Sequence, residues 1–173
     1  MIAASDIDAV EVERYVQAAR DAGSPRDQVE RFLNAGYIAL PNMLRFHATA
    51  RLCDDRSIGI REIMLDGTRG SAKSHAIIGQ TCIDDCQRVS GLKWLFLRKT
   101  QRAAGESFND LVSRVLRHIK HDANSERIRF PNGSRVQIGG YNNDSDIDKY
   151  LGIEFDGLVV EEAPQISGSK MDM

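Results

Sequence analysis

Gly67-Thr68-Arg69-Gly70-Ser71-Ala72-Lys73-Ser74 stands between a short apolar stretch and a run of helical periodicity. Upstream, Ile60-Arg61-Glu62-Ile63-Met64-Leu65 reads as a short strand. Downstream, Ile78, Cys82, Cys86 and Val89 recur at spacings of four, four and three, a helical stripe. Strand, glycine loop and helix form the context in which successive backbone N–H groups converge on a phosphate and the positive end of the helix faces it. Lys73 is then placed to reach the β and γ phosphates, and Ser74 to give its hydroxyl to Mg²⁺. A nucleoside triphosphate is therefore the first ligand that the stretch implies, with residues 67–74 all lining the phosphates. The usual pattern has glycine where Ala72 stands, so the loop departs from it by one residue. A glycine-containing turn that merely caps a helix is the competing interpretation.

The second half of a nucleotide-hydrolysing site is an acid at the exit of a buried strand. Phe155-Asp156-Gly157-Leu158-Val159-Val160-Glu161-Glu162 has that form: a continuous apolar run, suited to a strand covered on both faces, followed by two carboxylates. Adjacent side chains on a strand point to opposite faces, so the two glutamates cannot share one role. Glu161 is expected to face the metal through water and Glu162 to deprotonate the attacking water, which is general-base work for ATP hydrolysis. Solvated acids at an ordinary strand end are the alternative.

The chain has 173 residues, 42% hydrophobic and 28% charged, which suits a soluble globular domain able to bury a core. No run approaches a membrane span, and the acidic start lacks the zones of a signal peptide, so a cytoplasmic location is expected. Cys53, Cys82 and Cys86 are too few and too irregular for a disulfide framework or a zinc site, and Cys82 and Cys86 read as small core hydrophobes. The net charge of −2 does not advertise nucleic-acid binding, yet it is unevenly distributed. Between Lys93 and Arg135 there are ten Lys/Arg against four Asp/Glu, and from Asp144 to Glu162 there are seven acids and one lysine. The basic stretch suits either a DNA-facing surface or solvated helix faces.

Along the chain, Ser5 to Ala22 reads as a helix with Ser5 and Asp8 as a capping pair and Gly23 as its stop. Ser24 is expected to cap a second helix, with Pro25 in its first turn and Gly36 at its end. A third runs from Pro41 to about Asp54. After the loop helix, Trp94-Leu95-Phe96-Leu97 forms a buried strand ending in Arg98 and Lys99, followed by a long helix with Phe108, Leu111, Val112, Val115, Leu116 and Ile119 on its apolar face. Arg127 to Phe130 and Arg135 to Ile138 alternate polar and apolar around Pro131-Asn132-Gly133-Ser134, a β-hairpin. Asp144 to Gly152 reads as a loop and short helix. Strands alternating with helices imply an α/β fold with a mostly parallel sheet flanked by helices and one inserted hairpin.

The loop with Arg69 inside it, Leu95-Phe96-Leu97-Arg98, Phe130-Pro131-Asn132-Gly133-Ser134, Asp146-Ile147-Asp148-Lys149-Tyr150-Leu151-Gly152 and Val159-Val160-Glu161-Glu162-Ala163 occur in this order. Together they resemble the N-terminal ATPase domain of the large terminase subunit, the DNA-packaging motor of tailed bacteriophages and related prophages. The similarity runs from about Tyr37 to Gln165. The resemblance implies an N-terminal helical segment over 1–36 and a P-loop NTPase domain over 37–173, of the class (ASCE) that carries a catalytic glutamate beside the metal-binding acid. It implies ATP and Mg²⁺ as ligands. Double-stranded DNA, a portal protein, a small terminase subunit and a homo-oligomeric ring are the implied partners. By position, Lys73 and Ser74 hold phosphate and Mg²⁺, Glu161 is the metal-shell acid and Glu162 the catalytic base. Arg69 matches a basic residue that stabilises charge developing on the γ phosphate. Arg98 and Arg102 are implied candidates for reaching a neighbour's nucleotide. Where the family often has an adenine-reading glutamine, Met43 stands.

Large terminases continue into a further strand and a separate nuclease domain, and no acid cluster for a nuclease is found before Met173. The resemblance therefore implies an ATPase domain incomplete at its C-terminus, with its activity in isolation left open and a poorly cooperative melt expected. Two other functions use such a loop. A small-molecule or nucleoside kinase needs an acceptor pocket and lid arginines rather than two glutamates at a strand exit. An inactive nucleotide-binding remnant would bind ATP without turnover.

Overall fold

The computed structural model of the chain describes residues 8–68, 70–98, 109–124, 126–140, 146, 149–150 and 152–161. The protein is α/β and divides into two compact units, Met1–Asp84 with Val115–Ile119, and Asp85–Arg114 with Lys120–Met173.

The first unit opens with α1 (Ala9–Asp21), which Asp8 caps by accepting from the Val10 N–H at 3.3 Å. Ser5, the other expected cap, lies outside the described residues. The helix closes at Gly23, whose N–H reaches Arg20 O while that of Ser24 reaches Ala19 O. That bond corrects the expected role of Ser24. Its backbone ends α1, Pro25 occupies the cap position of α2 (Arg26–Asn34), and no side chain caps that helix. Gly36 and Tyr37 close α2 with the same paired bonds. A 3₁₀ turn, Pro41–Met43, leads into α3 (Leu44–Leu52). Phe32 lies edge-on to the Tyr37 and His47 rings, at centroid distances of 5.0 and 4.7 Å, and is buried, as are Ala19, Val29, Met43, Leu44 and Ala48.

The helix after the glycine loop is α4 (Lys73–Ile78), and it widens at once into a π-helical turn, Gly79–Asp85. Such turns are rare and bulge where a side chain needs room. Here a Cβ on Gly79 would stand 2.7 Å from the Tyr37 ring, so glycine admits the ring against the helix. The turn buries polar as well as apolar groups: Gln80, Thr81 and Asp84 beside Cys82 and Ile83. The fully buried Asp84 carboxylate receives Arg31 at 2.5 Å, Arg51 at 3.1 Å, Gln28 at 3.0 Å and Gln80 at 2.9 Å. Gln80 spends its amide N–H on Asp84, so its Oε1 accepts from His47 Nδ1 at 2.9 Å, and His47 Nε2 accepts from the Tyr37 hydroxyl at 3.0 Å. The chain of donors sets the histidine tautomer.

Ile60 to Leu65, expected as a strand, pairs with nothing among the described residues, and Met64 is 88% exposed. A strand exists by its ladder, and apolar composition does not supply a neighbour.

In the second unit, α5 (Cys86–Arg88) precedes β1 (Lys93–Arg98); β2 (Asp122–Ala123), β3 (Arg127–Arg129), β4 (Arg135–Gly140) and β5 (Gly157–Val160) follow. They form one five-stranded sheet in the order β2-β3-β4-β1-β5. β1 is parallel to both β4 and β5, while β2-β3 and β3-β4 are antiparallel, so the sheet is mixed rather than mostly parallel. The hairpin forms as expected, with Gly133 at φ 85° and Phe130 N bonded to Ser134 O. Yet it is no appendage, because its second strand pairs along the whole of β1. Asn132 Nδ2 donates to Cys86 O at 2.7 Å and the Ser134 hydroxyl to Val89 O at 2.6 Å, tying the turn to the segment that feeds β1. β1 is buried through Leu95, Phe96 and Leu97, as its composition implies. β5 departs from expectation: it is the sheet's outer strand among the described residues, and Leu158 is 56% exposed rather than covered.

Residues 109–115 are helical, with Val112, Val115 and Leu116 buried, but the helix stops there and the chain turns, Ile119 N bonding to Leu116 O. Apolar spacing marks the buried side and not the last turn. No described helix is long and apolar enough to cross a membrane.

Burial holds His47 near pKa 4, well below its ordinary value, against the opposing pull of Gln80 and Asp84. The unfolded chain therefore takes up this proton at a higher pH than the native one. Stability is expected to fall as pH drops from about 6.5 toward 4, by up to about 3 kcal/mol from this group. Urea midpoints measured across that window check it, and a flat profile would contradict the buried neutral imidazole.

Candidate functional site

The described residues of the glycine loop include three with positive φ. Gly67 has φ 143° and Gly70 φ 87°, both outside the range that side chains favour. Ala72, where the pattern departs from glycine, has φ 61° and ψ 20°, and is the one described non-glycine residue with positive φ. An alanine in this left-handed conformation costs about 1–2 kcal/mol. The position thus keeps the geometry for which glycine is used, at the cost of local strain.

Lys73 begins α4 and folds back over the loop. Its Nζ donates to Gly67 O at 2.6 Å, Thr68 O at 3.0 Å and the Ser71 hydroxyl at 3.0 Å. The ammonium therefore sits inside the curl of the loop, bonded to oxygens of the loop itself. Asp66 Oδ1 accepts from the Gly67 N–H at 2.7 Å, and Ser71 N reaches Thr68 O. Asn42 approaches Ser71 O at 3.4 Å, so the 3₁₀ turn before α3 borders the loop. Ser74 follows Lys73 on α4 and is half-buried. Arg69 lies outside the described residues. Met43, at the position where the resemblance placed base recognition, is a buried core residue.

Glu161 ends the last strand of the second unit. Its N–H continues the ladder to Leu97 O at 2.9 Å, and its carboxylate is 7% exposed. It is paired with Arg98, the last residue of β1, through the guanidinium Nε and carboxylate Oε2. The parallel register of β1 and β5 brings the two strand ends level and makes the pair possible. The resemblance implies Arg98 as a candidate for reaching a neighbour's nucleotide; within this chain it pairs with a carboxylate of its own sheet. Register, which composition does not encode, was the missing signal. Glu162 lies outside the described residues.

The sequence also gave no sign of the Gln28, His47, Gln80 and Asp84 cluster that anchors the helical run behind the loop. Those residues are scattered over three segments, and only their burial joins them. Cys82 and Cys86 are buried, as expected of core residues. Among the described residues no group of His, Cys, Asp and Glu is arranged to hold a metal ion.

Two substitutions test this geometry. Ala72→Gly relieves the left-handed strain but adds freedom to the unfolded chain, so a net gain of about 0.5–1 kcal/mol is expected in chemical denaturation. A loss would show that Ala72 is not left-handed. Arg98→Ala removes the ion pair of a buried carboxylate and is expected to cost about 2–3 kcal/mol, somewhat less than a fully buried pair, because Arg98 is partly exposed. An unchanged urea midpoint would contradict the pairing.

Comparison of the chain with protein-family models, with curated proteins and with solved structures finds no match.

Proposed function

We propose that this chain is the ATPase part of a large terminase subunit, coupling ATP hydrolysis to the movement of double-stranded DNA into a viral procapsid. One observation carries the nucleotide half of this proposal: Gly67, Gly70 and Ala72 all have positive φ, and the Lys73 ammonium bonds the carbonyls of Gly67 and Thr68. A loop of that kind presents backbone N–H groups to an anion, and the lysine that now bonds loop oxygens would turn to the β and γ phosphates. The residues present fit a triphosphate. They fit Mg²⁺ less completely: Ser74 offers its hydroxyl from α4, but the Glu161 carboxylate is engaged by Arg98.

When bound, Mg²⁺ would neutralise charge building on the phosphates. The chain's own part is to position the triphosphate through residues 67–74, with Arg69 countering charge on the γ phosphate and Glu162 accepting a proton from the attacking water. The order of motifs from the loop to Glu162 supports the terminase assignment, as does the basic excess between Lys93 and Arg135. The portal protein, the small terminase subunit, the ring of copies and a cytoplasmic location belong to the same proposal.

A nucleotide-binding protein without turnover is the second interpretation, and the engagement of Glu161 by Arg98 favours it. Phosphate release measured with ATP, Mg²⁺ and duplex DNA separates the two. The motor function predicts release stimulated by DNA, reduced about 100-fold or more in Glu162→Gln and lost in Lys73→Ala. ATP binding that Lys73→Ala abolishes, with no release from the parent chain, would favour the second interpretation. A phosphorylated acceptor in place of free phosphate would point to a kinase.

A further inference from the structure

On one face of the sheet, three cations stand in register on neighbouring strands. Arg129 of β3 pairs with Arg135 of β4, and Arg135 pairs with Lys93 of β1. Paired residues share a face, so the side chains form a row across the strands, roughly 10 Å long at the usual strand spacing. Arg127 lies on the same face two residues from Arg129, opposite Gln137. The other face of the same strands is core: Ile128, Val136 and Ile138 are buried.

Like charges placed directly opposite one another destabilise a sheet. No ion pair among the described residues neutralises this row. Arg127, Arg129, Arg135 and Lys93 have no side-chain ion pair or hydrogen bond among the described residues, and the Nε atoms of Arg127 and Arg135 are buried without a partner. Asp122 stands in register with Arg129 at one end of the row and Asp156 beside Lys93 at the other, neither in an ion pair with these cations, so the four cations exceed the two acids by two. Asp156 accepts only the backbone N–H of Lys93, at 2.8 Å. Arg129 is exposed, and the other three cations are half-buried, their stems held by the sheet. Three guanidinium groups and one ammonium without an ion pair among the described residues suit charge-assisted bonds to phosphate.

We infer that Arg127, Arg129, Arg135 and Lys93 form a docking surface for the phosphodiester backbone of duplex DNA. The choice of duplex DNA rests on the proposed terminase function, whereas the demand for a polyanion comes from the row itself. Contacts of this kind position a duplex without reading its bases. They lie on the sheet of the second unit, so they need no nucleotide in the glycine loop.

The test is fluorescence anisotropy of a labelled duplex with the full chain in nucleotide-free buffer, at salt concentrations from about 50 to about 200 mM. The parent chain is expected to bind with a steep salt dependence. The Arg127→Gln/Arg129→Gln/Arg135→Gln variant is expected to bind about ten-fold more weakly or worse at the low end, with the slope of log K against log salt smaller by about 3. Its melting temperature should stay level or rise, since opposed like charges are removed. A variant that folds and binds as the parent does overturns the surface and leaves the DNA partner intact. A parent chain that does not bind duplex overturns both, and ATP titration against Lys73→Ala then judges the loop separately. Equal affinity for anionic lipid vesicles, lost in the same variant, would overturn nucleic acid as the occupant.

Discussion

The buried carboxylate of Asp84 governs the first unit. An ionised group taken out of water is costly unless it is paired and fully hydrogen-bonded. Arg31 from α2, Arg51 from α3, Gln28 from α2 and Gln80 from the π turn all converge on it. These bonds fix which side of the π turn faces inward, because any rotation would strand the charge. Gln28 shows how tightly the arrangement is set: the two N–H groups of its amide are shared among His47 O, Gln80 and Asp84, while its own Oε1 has no partner among the described residues. Turning the amide over would face an oxygen toward three acceptors, so one unmet acceptor is the smaller cost.

The loop depends on this anchoring. Residues 67–72 carry strain at Ala72, and strain persists only where the surroundings over-determine the backbone. α4 follows the loop directly and runs without a break into the π turn that Asp84 fixes. The ammonium of Lys73, bonded to two loop carbonyls and a hydroxyl, closes the curl from inside.

In the second unit, β1 is the organising strand. It pairs in parallel on both sides, and it carries at its start Lys93, at its centre three buried apolar residues and at its end Arg98. The two ends serve opposite electrostatic purposes. Arg98 is matched with a carboxylate, whereas Lys93 joins Arg135 and Arg129 in a row whose cations form no ion pair among the described residues. The sheet thus holds one neutralised pair and one unneutralised row on a common frame.

Sequence alone determined the local features. Gly23 and Gly36 stop helices, Gly133 turns a hairpin, residues 95–97 are apolar enough to be buried, and the spacing of Gly67, Gly70 and Lys73 announces a loop, because each follows from the conformational freedom or solvation of a few neighbouring residues. The tertiary structure decided whatever needed a partner distant in sequence. Ile60 to Leu65 has strand composition but no neighbour, and Leu158 has core composition but stands on an outer strand. Arg98 finds Glu161, and Asp84 finds Arg31, Arg51 and Gln28, across dozens of residues. Ala72 joins the two kinds of information: composition argued against the left-handed turn, and the anchored helix behind the loop imposes it. The reason is the same throughout, since backbone preference and side-chain solvation are local quantities, while pairing register and charge neutralisation exist only between segments that folding has brought together.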